Sequence, residues 1–524
     1  MTTIPQLFAR TVEQFATRSA LLEPLETGET ASFTYADVQK RVEGFAGYLQ
    51  KQALIPGGRL LIWSPSRVDW LVAYLGTLLV GMVVVPLDVS SKEDFLQRIV
   101  ETTEALFLIT TQKQYKSLHN PLIPLIDIDA LPQEDFDGTQ LPSIKDEDLA
   151  ELVFTSGTTG QPKGVMLSHK NIVSNALAAL EVITITVNDR ALSILPLSHM
   201  FELTIDIAIL AKGASVLYAR TLSPDTLLKL LGSQNVSCMV LVPQALQLFL
   251  SGIEREVRRQ KRERAWELLH RVAAYLPFGL RHYLFASVHK RFGGKFRFFV
   301  SGGAYLSPTL GGRFENMGFR VIQGYGATEC SPVISATPPR EHNLVSIGKP
   351  LPGIEVRIAD DKEILVHGPN VALGYWKNPE ATAFAFQDGW YHTGDLGFLD
   401  EKHDLYIKGR KKNLIVLANG MNVYPEDIEN VFMAVPGVRD AVVIGLVEEG
   451  QDPQVHGILL VDDASKAKLI VQQVNKQLAS HQQVRGFTVW PDDDFPRTHT
   501  LKVKRQDVLG KLPTIRKKSS AVKE

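Results

Sequence analysis

Runs of apolar residues alternate with amphipathic stretches along residues 30–330 of this 524-residue chain. The runs are short and rich in Val, Ile, Leu and Phe, and they predict buried strands. The predicted strands are 59–63, 105–110, 193–197, 236–242 and 296–303. Between them, stretches such as 69–79 have the apolar spacing of helices. Continuous apolar strands separated by helices are typical of parallel sheets covered on both faces, so we predict an α/β fold with helix-flanked, parallel-rich sheets.

One apolar stretch, 70–86, is long enough to resemble a membrane span. A span needs about 20 unbroken apolar residues, whereas Gly76, Gly81 and Pro86 interrupt this stretch and its second half is β-branched. The pattern therefore predicts a buried helix, a glycine turn and a buried strand at 82–85.

The pattern changes after residue 344, where short strands at hairpin spacing predict a small antiparallel, β-barrel-like subdomain. A compact α+β unit follows, in which Pro425 stands at a predicted helix start. We therefore predict a large N-terminal domain over 1–409 and a small, mobile C-terminal domain over 410–524. The last residues, from about 515, are rich in Lys and Ser and predict a disordered tail.

Charge and cysteine content narrow the function classes. Lys and Arg number 56 and Asp and Glu number 57, a net charge of −1, whereas a general nucleic-acid binder would be more basic. The two cysteines, Cys238 and Cys330, form no CxxC or Cys/His cluster in the sequence, so no zinc or disulfide framework is expected. Sparse cysteines and the lack of a secretory signal pattern at the N-terminus predict a cytoplasmic protein.

A segment of small hydroxyl and glycine residues leads from a short apolar strand to Lys163. Small residues let backbone N–H groups approach an anion, hydroxyls add donors, and the lysine adds a positive charge. Pro162 and Gly164 stand where a Walker A loop needs Gly and Ser or Thr, so a P-loop NTPase is disfavoured. The segment instead predicts a mobile loop that closes over a triphosphate. Its first residues are Thr155, Ser156, Gly157, Thr158, Thr159 and Gly160.

This segment, TSGTTGQPKG, resembles the phosphate-loop signature of the adenylate-forming superfamily of acyl-CoA synthetases, luciferases and adenylation domains. Four further motifs of that superfamily follow in its order. They are QGYGATE at 323–329, YHTGD at 391–395, RKKNLI with NG and VYP at 410–425, and PRTHTLK at 496–502. The chain is therefore identified as a member of this superfamily, and it is most similar to bacterial long-chain fatty acyl-CoA synthetases.

The resemblance implies a reaction in two steps, in which ATP activates a carboxylate as an acyl-adenylate and CoA then takes the acyl group. It implies Mg²⁺ contacts at Glu329 and Thr155. The other implied nucleotide contacts are the rest of the phosphate loop with Lys163, the strand-end residues Gly302, Gly303 and Ala304, the adenine motif Gln323, Gly324, Tyr325 and Gly326, the phosphate contact Thr328, Asp395 at the ribose, and Arg410 at the ribose or phosphate.

Lys502 is the implied catalytic cation of the first step. Leu501 replaces the glycine that is usual there, which leaves Lys504 as the next candidate. His199 matches the aromatic motif near the acyl carboxylate.

For the second step, the resemblance implies rotation of the C-terminal domain about 409–412 and a pantetheine tunnel lined at Gly420. The residues alone leave simpler interpretations open. Tyr325 is also suited to a core, Asp395 to a turn and Gly420 to a tight turn.

Two features favour a long acyl chain. The motif ILPLSHMFE at 194–202 looks like the version in long-chain fatty acyl-CoA synthetases. The segment 254–297 holds twelve Lys or Arg against four Glu, a net charge of +8, with interleaved aromatic and Leu side chains. Such a segment is either a solvated helical face or a surface that rests on an anionic bilayer. The sequence leaves both interpretations open.

The acceptor thiol and the oligomeric state also stay open. A fatty acyl-AMP ligase or an acyl–acyl-carrier-protein synthetase, which would share the adenylation step, is the alternative to a CoA ligase. A non-catalytic nucleotide or lipid sensor is disfavoured because Glu329 and Lys502 are both present.

Overall fold

A computed structural model describes residues 2–52, 55–120, 123–155, 162–219, 223–339, 343–447, 452–497 and 503–521. The chain divides into two compact units. The first comprises Met1–Val356 and Val366–Tyr391, and the second comprises Arg357–Leu365 and His392–Glu524. The predicted domain bounds, 1–409 and 410–524, stay a prediction.

The first unit holds a nine-stranded sheet whose central strands are parallel. Fully buried strands such as Cys238–Leu241 and Ser215–Tyr218 carry only one polar residue between them, Ser215, as expected for strands covered on both faces. In spatial order the strands are Lys349–Pro350, Val333–Ala336, Arg320–Gly326, Phe298–Ser301, Cys238–Leu241, Arg190–Ser193, Ser215–Tyr218, Ser19–Pro24 and Thr30–Thr34.

A seven-stranded sheet forms the other half of the first unit and is also parallel at its centre. The helix Val68–Leu79 and the buried strand Val83–Leu87 confirm the predicted helix, turn and strand. Within the described ranges, every helix is too short or too polar to cross a membrane. In spatial order the strands are Gly374–Tyr375, Lys163–Ser168, Leu149–Thr155, Val83–Leu87, Arg59–Trp63, Phe107–Thr110 and Leu125–Asp127.

Side-chain caps begin several of the helices. Thr34 and Asp37 form a reciprocal capping box, as do Ser168 and Asn171, which satisfies amide groups that a helix start leaves unpaired. The helices are Ile4–Phe15, Tyr35–Lys51, Val68–Leu79, Glu93–Thr103, Gln112–Lys116, His169–Val182, Met200–Ala211, Pro224–Ser233, Pro243–Arg259, Glu263–Tyr275, Phe278–Leu284, Ala286–Arg291, Pro308–Asn316, Pro379–Ala385, Pro425–Met433, Ala467–Asn475 and Arg505–Ala521.

The strand predicted at 193–197 is wrong, because the strand there is Arg190–Ser193. Beyond it the backbone bonds to a side chain in place of a neighbouring strand. Ser66 Oγ donates to the Leu195 carbonyl at 3.2 Å and accepts from the Leu197 amide at 2.8 Å, and Pro196 has no amide to offer a sheet. The segment therefore turns towards His199.

Short strands follow residue 344, and their antiparallel pairing confirms the prediction for this region. They are Glu355–Ile358, Glu363–His367, Phe386–Gln387, Trp390–Leu399 and Leu405–Arg410. The second unit then holds the hairpin of Ile415–Val416 with Asn422–Val423 and the sheet of Val438–Leu446, Gln454–Val461 and Gly486–Val489.

The disordered tail predicted from 515 is wrong up to Ala521, where the helix that begins at Arg505 ends. Val508, Leu512 and Ile515 recur at helical spacing and pack on the apolar cluster that includes Ile458. Burial of this apolar side of the helix stabilises a segment whose composition alone indicates disorder.

The buried acid Glu151 generates a test of this fold. Tyr74 Oη donates to Glu151 Oε2 at 3.1 Å, and burial raises the pKa of the Glu151 carboxyl to about 8. Between pH 4.5 and about 8 the folded state therefore keeps this proton, whereas the unfolded state has released it. The free energy of unfolding falls as pH rises through this interval, by at most about 1.4 kcal/mol per pH unit.

We expect Glu151→Gln to reduce the decline of the thermal unfolding midpoint with pH across that interval. Glu263→Gln, at an exposed carboxyl, is the control and should follow the unsubstituted protein. Parallel curves for Glu151→Gln and the unsubstituted protein would contradict the proposed protonation.

Candidate active site

Two antiparallel strands place the ends of the predicted phosphate loop side by side. The strand Leu149–Thr155 pairs with Lys163–Ser168, and Thr155 lies directly opposite Lys163. Cross-strand neighbours of this kind have Cβ atoms about 5 Å apart. A hydroxyl and a cation therefore stand together at the mouth of the loop. The predicted contacts between them, Ser156, Gly157, Thr158, Thr159 and Gly160, lie outside the described residues.

Tyr375 connects this strand pair to Glu329. The short strand Gly374–Tyr375 pairs with Lys163–Ser168 on its other edge. Lys163 Nζ lies 4.8 Å from the centre of the Tyr375 ring, within the range of a cation–π contact. Tyr375 Oη donates to Glu329 Oε1 at 2.8 Å. Burial and the Glu329 charge both raise the pKa of the Tyr375 phenol, so the phenol keeps its proton and remains a donor to the carboxylate.

The turn that carries Glu329 is held by buried amide groups. Glu329 lies in the short 3₁₀ helix Thr328–Cys330, so Thr328 precedes it directly. The Glu329 carbonyl accepts from the Ala372 amide at 2.8 Å. Asn370 Nδ2 donates to the Cys330 carbonyl at 2.8 Å. These two hydrogen bonds fix the backbone of the turn and thereby the position of the Glu329 carboxylate.

Close backbone approach requires glycine at two predicted contacts. A Cβ atom at Gly302 would lie 2.9 Å from the Phe201 ring and 3.1 Å from the Gly324 carbonyl. A Cβ atom at Gly326 would lie 1.7 Å from the Pro332 carbonyl oxygen. Gly302 therefore admits the Phe201 ring, and Gly326 admits the Pro332 carbonyl, which follows the turn that carries Glu329.

The neighbouring adenine-motif residues are largely buried. The side-chain NH₂ group of Gln323 donates to the Leu344 carbonyl at 2.9 Å, and its backbone amide donates to Thr337 Oγ1 at 2.8 Å. Tyr325 is 8% exposed. Gly303 has a φ of +78°, which favours glycine, and precedes the half-buried Ala304.

His199 begins the helix Met200–Ala211. Its side chain is partly exposed, and His199 Nε2 lies 3.7 Å from Asp88 Oδ2. One and two turns further along the helix, Glu202 and Asp206 are almost fully buried, and burial is the main cause of the raised pKa of each carboxyl. Burial therefore favours the neutral form of both acids behind the partly exposed histidine.

In the second unit, Asp395 and Arg410 bind each other. They lie opposite one another on paired strands, and Arg410 Nε is 2.7 Å from Asp395 Oδ1. Asp395 is 4% exposed. Lys411 Nζ contacts Glu363 Oε2 at 3.0 Å, and Glu363 Oε1 accepts from the Gly394 amide at 2.8 Å. The predicted ribose residue and the start of the predicted hinge thus share one charged network.

The structure assigns Gly420 to a tight turn. Its φ is +78°, a Cβ atom there would meet nothing within 4 Å, and its amide donates to the Leu417 carbonyl at 2.8 Å. Lys502 lies outside the described residues. Lys504 is exposed, whereas Arg505 contacts Glu429 and donates to the Val443 carbonyl at 2.9 Å. Of these two neighbouring cations, Lys504 is the more accessible.

Sequence reasoning brought out Thr155, Lys163 and Glu329 but missed Tyr375, Asn370 and Asp88. Tyr375 had no motif around it, because its importance comes from strand pairing with Lys163–Ser168. No local sequence pattern around Tyr375 indicates this pairing.

Comparisons with known proteins match both parts of the chain. Residues 8–376 match a family model described as "AMP-binding enzyme", and residues 412–514 match one described as "AMP-binding enzyme C-terminal domain". The chain belongs to the AMP-binding enzyme family. This confirms the predicted adenylate-forming resemblance and the α/β fold with a C-terminal domain.

Individual AMP-binding enzymes similar to this chain act on different acids. A long-chain-fatty-acid–CoA ligase, FadD15 of Mycobacterium bovis, is 28% identical and covers 94% of this chain and 93% of its own. A long-chain-fatty-acid–CoA ligase of Escherichia coli O157:H7 is 27% identical, with 96% and 93% covered. The solved O-succinylbenzoate CoA synthetase MenE of Bacillus subtilis, with ATP and magnesium, is 26% identical at a TM-score of 0.78, with 95% and 98% covered. These relatives support adenylate-forming acid–CoA ligation and leave the acid open.

The oxygen atoms at the site fit Mg²⁺. Glu329 accepts one described side-chain hydrogen bond, from Tyr375, and a carboxylate has about four lone-pair sites. Thr155 adds a hydroxyl oxygen. Among the described residues there is no group of three or more His, Cys, Asp or Glu that could hold a metal by itself. Mg²⁺ usually keeps several waters and binds through one or two carboxylates and substrate phosphates, so the Glu329 carboxylate and the Thr155 hydroxyl are donors that fit it.

Tyr375→Phe tests the link between the phosphate strands and Glu329. Loss of the hydroxyl removes the donor that orients the carboxylate, so we expect the Mg²⁺ concentration for half-maximal pyrophosphate release to rise about 10-fold. Tyr115→Phe is the matched control, since the Tyr115 hydroxyl donates to the Ile123 carbonyl at 3.2 Å. An unchanged magnesium titration in Tyr375→Phe would remove Tyr375 from the site.

Proposed function

We propose that this chain ligates a long-chain fatty acid to coenzyme A, with ATP and Mg²⁺, through an acyl-adenylate. The products are the acyl-CoA, AMP and pyrophosphate. The proposal combines the adenylate-forming family with one observation on this chain, a row of apolar side chains that runs from Phe201, beside Gly302, to a small internal cavity. We call this row the apolar path.

The apolar path follows one face of the helix Met200–Ala211. Phe201, Ile205, Ala208 and Ile209 recur at the spacing of a single helix face, and Phe201 packs against the Gly302 backbone. Ile205, Ala208 and Ile209 also line a cavity of about 20 Å³. Its opposite wall contains Val240, Phe298 and Val300.

This path suits an acyl chain whose carboxylate lies near His199. Phe298 and Val300 alternate on one face of their strand, and Gly302 continues the same alternation. A fatty acyl chain that enters this path would separate apolar side chains without leaving a buried polar group unpaired. A charged or hydroxylated acid would lose favourable contacts with water there, which costs free energy. The path therefore favours a fatty acid over the more polar acid named for MenE.

In the first half-reaction a carboxylate oxygen attacks the α-phosphorus of ATP, and pyrophosphate leaves. Lys163 supplies positive charge beside the phosphates, and Tyr375 keeps Glu329 in place through the 2.8 Å hydrogen bond. Bound at Glu329 and Thr155, Mg²⁺ would offset phosphate charge. Asp395 and Arg410 would hold the ribose, and Lys502 would stabilise the negative charge that develops during attack.

In the second half-reaction the sulfur of coenzyme A attacks the acyl carbonyl carbon, and AMP leaves. Rotation about 409–412 would withdraw Lys502 and bring the segment around Gly420 to the pantetheine arm. The same nucleotide contacts would then serve a departing AMP.

Ala208→Phe tests the acyl path. A phenyl ring would fill the cavity, so we expect the preferred acid to become shorter while ATP affinity is unchanged. Pyrophosphate release should be measured on saturated acids from acetate to arachidate, with CoA, with a holo-acyl-carrier protein, and with neither. Overpacking costs about 1–3 kcal/mol of stability, so Ala178→Phe, at another buried alanine outside the cavity lining, is the control. An unchanged chain-length profile, or a preference of the unsubstituted enzyme for acetate or aryl acids, would end the long-chain proposal.

Lys502→Ala tests the assignment of the catalytic cation. We expect it to abolish adenylate formation from ATP and to spare thioester formation from supplied acyl-AMP, because only the first half-reaction needs that charge. Lys504→Ala is the matched control and should retain adenylate formation. Equal losses in both half-reactions of Lys502→Ala would contradict the proposed rotation.

A further inference from the structure

The helix Glu263–Tyr275 is apolar on two opposite faces. Trp266, His270 and Ala273 are buried at helical spacing, and the rings of Trp266 and His270 lie 4.7 Å apart. Leu268, Val272 and Tyr275 occupy the other side, each two positions further along the helix. They are exposed, Leu268 at 57% and Tyr275 at 91%. The helix therefore presents a second, largely exposed apolar face.

Arginines accompany the exposed apolar side chains. Arg264 and Arg271 are exposed and lie three or four residues from Leu268 on the same side of the helix. We call Arg264, Leu268, Arg271, Val272 and Tyr275 the docking face.

More cations stand next to the docking face. Exposed basic residues are dense at the end of the preceding helix and in the link between the two helices. Among the described residues, none of the following makes an ion pair within 4.0 Å: Arg255, Arg258, Lys261, Arg262, Arg264 and Arg271. The acids nearby are partly engaged, since Glu256 pairs with Arg259 at 2.8 Å and Glu267 with Arg313 at 2.8 Å. These six cations outnumber the exposed acid beside them, Glu263, so the surface is positive.

We propose that the docking face lies on an anionic lipid bilayer. Leu268, Val272 and Tyr275 would enter the boundary between headgroups and acyl chains, while the arginines contact lipid phosphates. A helix with apolar side chains flanked by Arg suits this interface, and Tyr is enriched at it. A protein partner would need matching carboxylates around an apolar pocket, whereas an anionic bilayer supplies dense negative charge and apolar depth without a specific shape.

The proposal is independent of the acyl specificity, because it concerns a surface outside the candidate active site. Binding to a bilayer would place the protein where apolar acids are concentrated. Leu280 and Tyr283, exposed on the next helix, extend the apolar surface.

Vesicle flotation tests the proposal with the full chain. The vesicles contain equal parts of phosphatidylglycerol and phosphatidylcholine, or phosphatidylcholine alone. We expect the protein to float with the anionic vesicles, to remain behind with the neutral ones, and to bind less at high salt because salt screens the arginines. The variant L268S/V272S/Y275S and the variant R264E/R271E should each reduce anionic vesicle binding at least 10-fold.

The matched control is K468E/L469S, which makes the same kinds of change at exposed positions of another helix and should bind vesicles normally. Thermal unfolding midpoints should agree among all variants, since the docking face is exposed. Absence of flotation by the unsubstituted protein, or equal flotation by all variants, would overturn the proposal. So would self-association that L268S/V272S/Y275S abolishes while vesicle binding persists, because the face would then hold a second copy of the chain.

Discussion

The pairing of Gly374–Tyr375 with Lys163–Ser168 determines the geometry of the candidate active site. This short strand brings a tyrosine from late in the first unit beside the lysine of the phosphate segment. The tyrosine hydroxyl then reaches Glu329, which comes from a third part of the chain. A shift of one residue in the pairing would turn Tyr375 to the opposite face of the sheet. The contacts of Tyr375 with Lys163 and with Glu329 therefore depend on backbone register.

The same part of the protein connects the turn that carries Glu329 to the proposed acyl path. Thr204 Oγ1 donates to the Ser331 carbonyl at 3.1 Å, and Asn175 Nδ2 donates to the Val333 carbonyl at 2.6 Å. Thr204 belongs to the helix that carries Phe201 and Ala208. A buried donor that loses its acceptor costs about 1–3 kcal/mol, so the helix and the turn are held in one arrangement. Displacement of the helix by an acyl chain would therefore shift the turn that carries Glu329.

Sequence patterns predicted the parts of this protein whose local and tertiary preferences agree. The strand Arg59–Trp63 and the helix that begins at Pro425 follow directly from apolar runs and from the placement of proline. The strand predicted at 193–197 failed because the Ser66 hydroxyl, a tertiary partner, takes the backbone groups of that segment. At the site, motifs identified Lys163 and Glu329, whereas the importance of Tyr375 arises from register that no local pattern contains.

Charged contacts in the second unit constrain where the predicted rotation can begin. Arg410 Nε lies 2.7 Å from Asp395, and Lys411 Nζ lies 2.6 Å from Asp361 and 3.0 Å from Glu363. A pivot before Arg410 would separate all of these pairs and would take Arg410 away from the predicted ribose residue. A pivot after Lys411 leaves them intact, and the C-terminal family match begins at residue 412. The Lys411–Asp361 pair is half exposed on both sides and contributes only about 0–1 kcal/mol. Asp395 and Glu363 are buried, so a pivot before Arg410 would leave two buried carboxylates without these cations, which favours a pivot after Lys411.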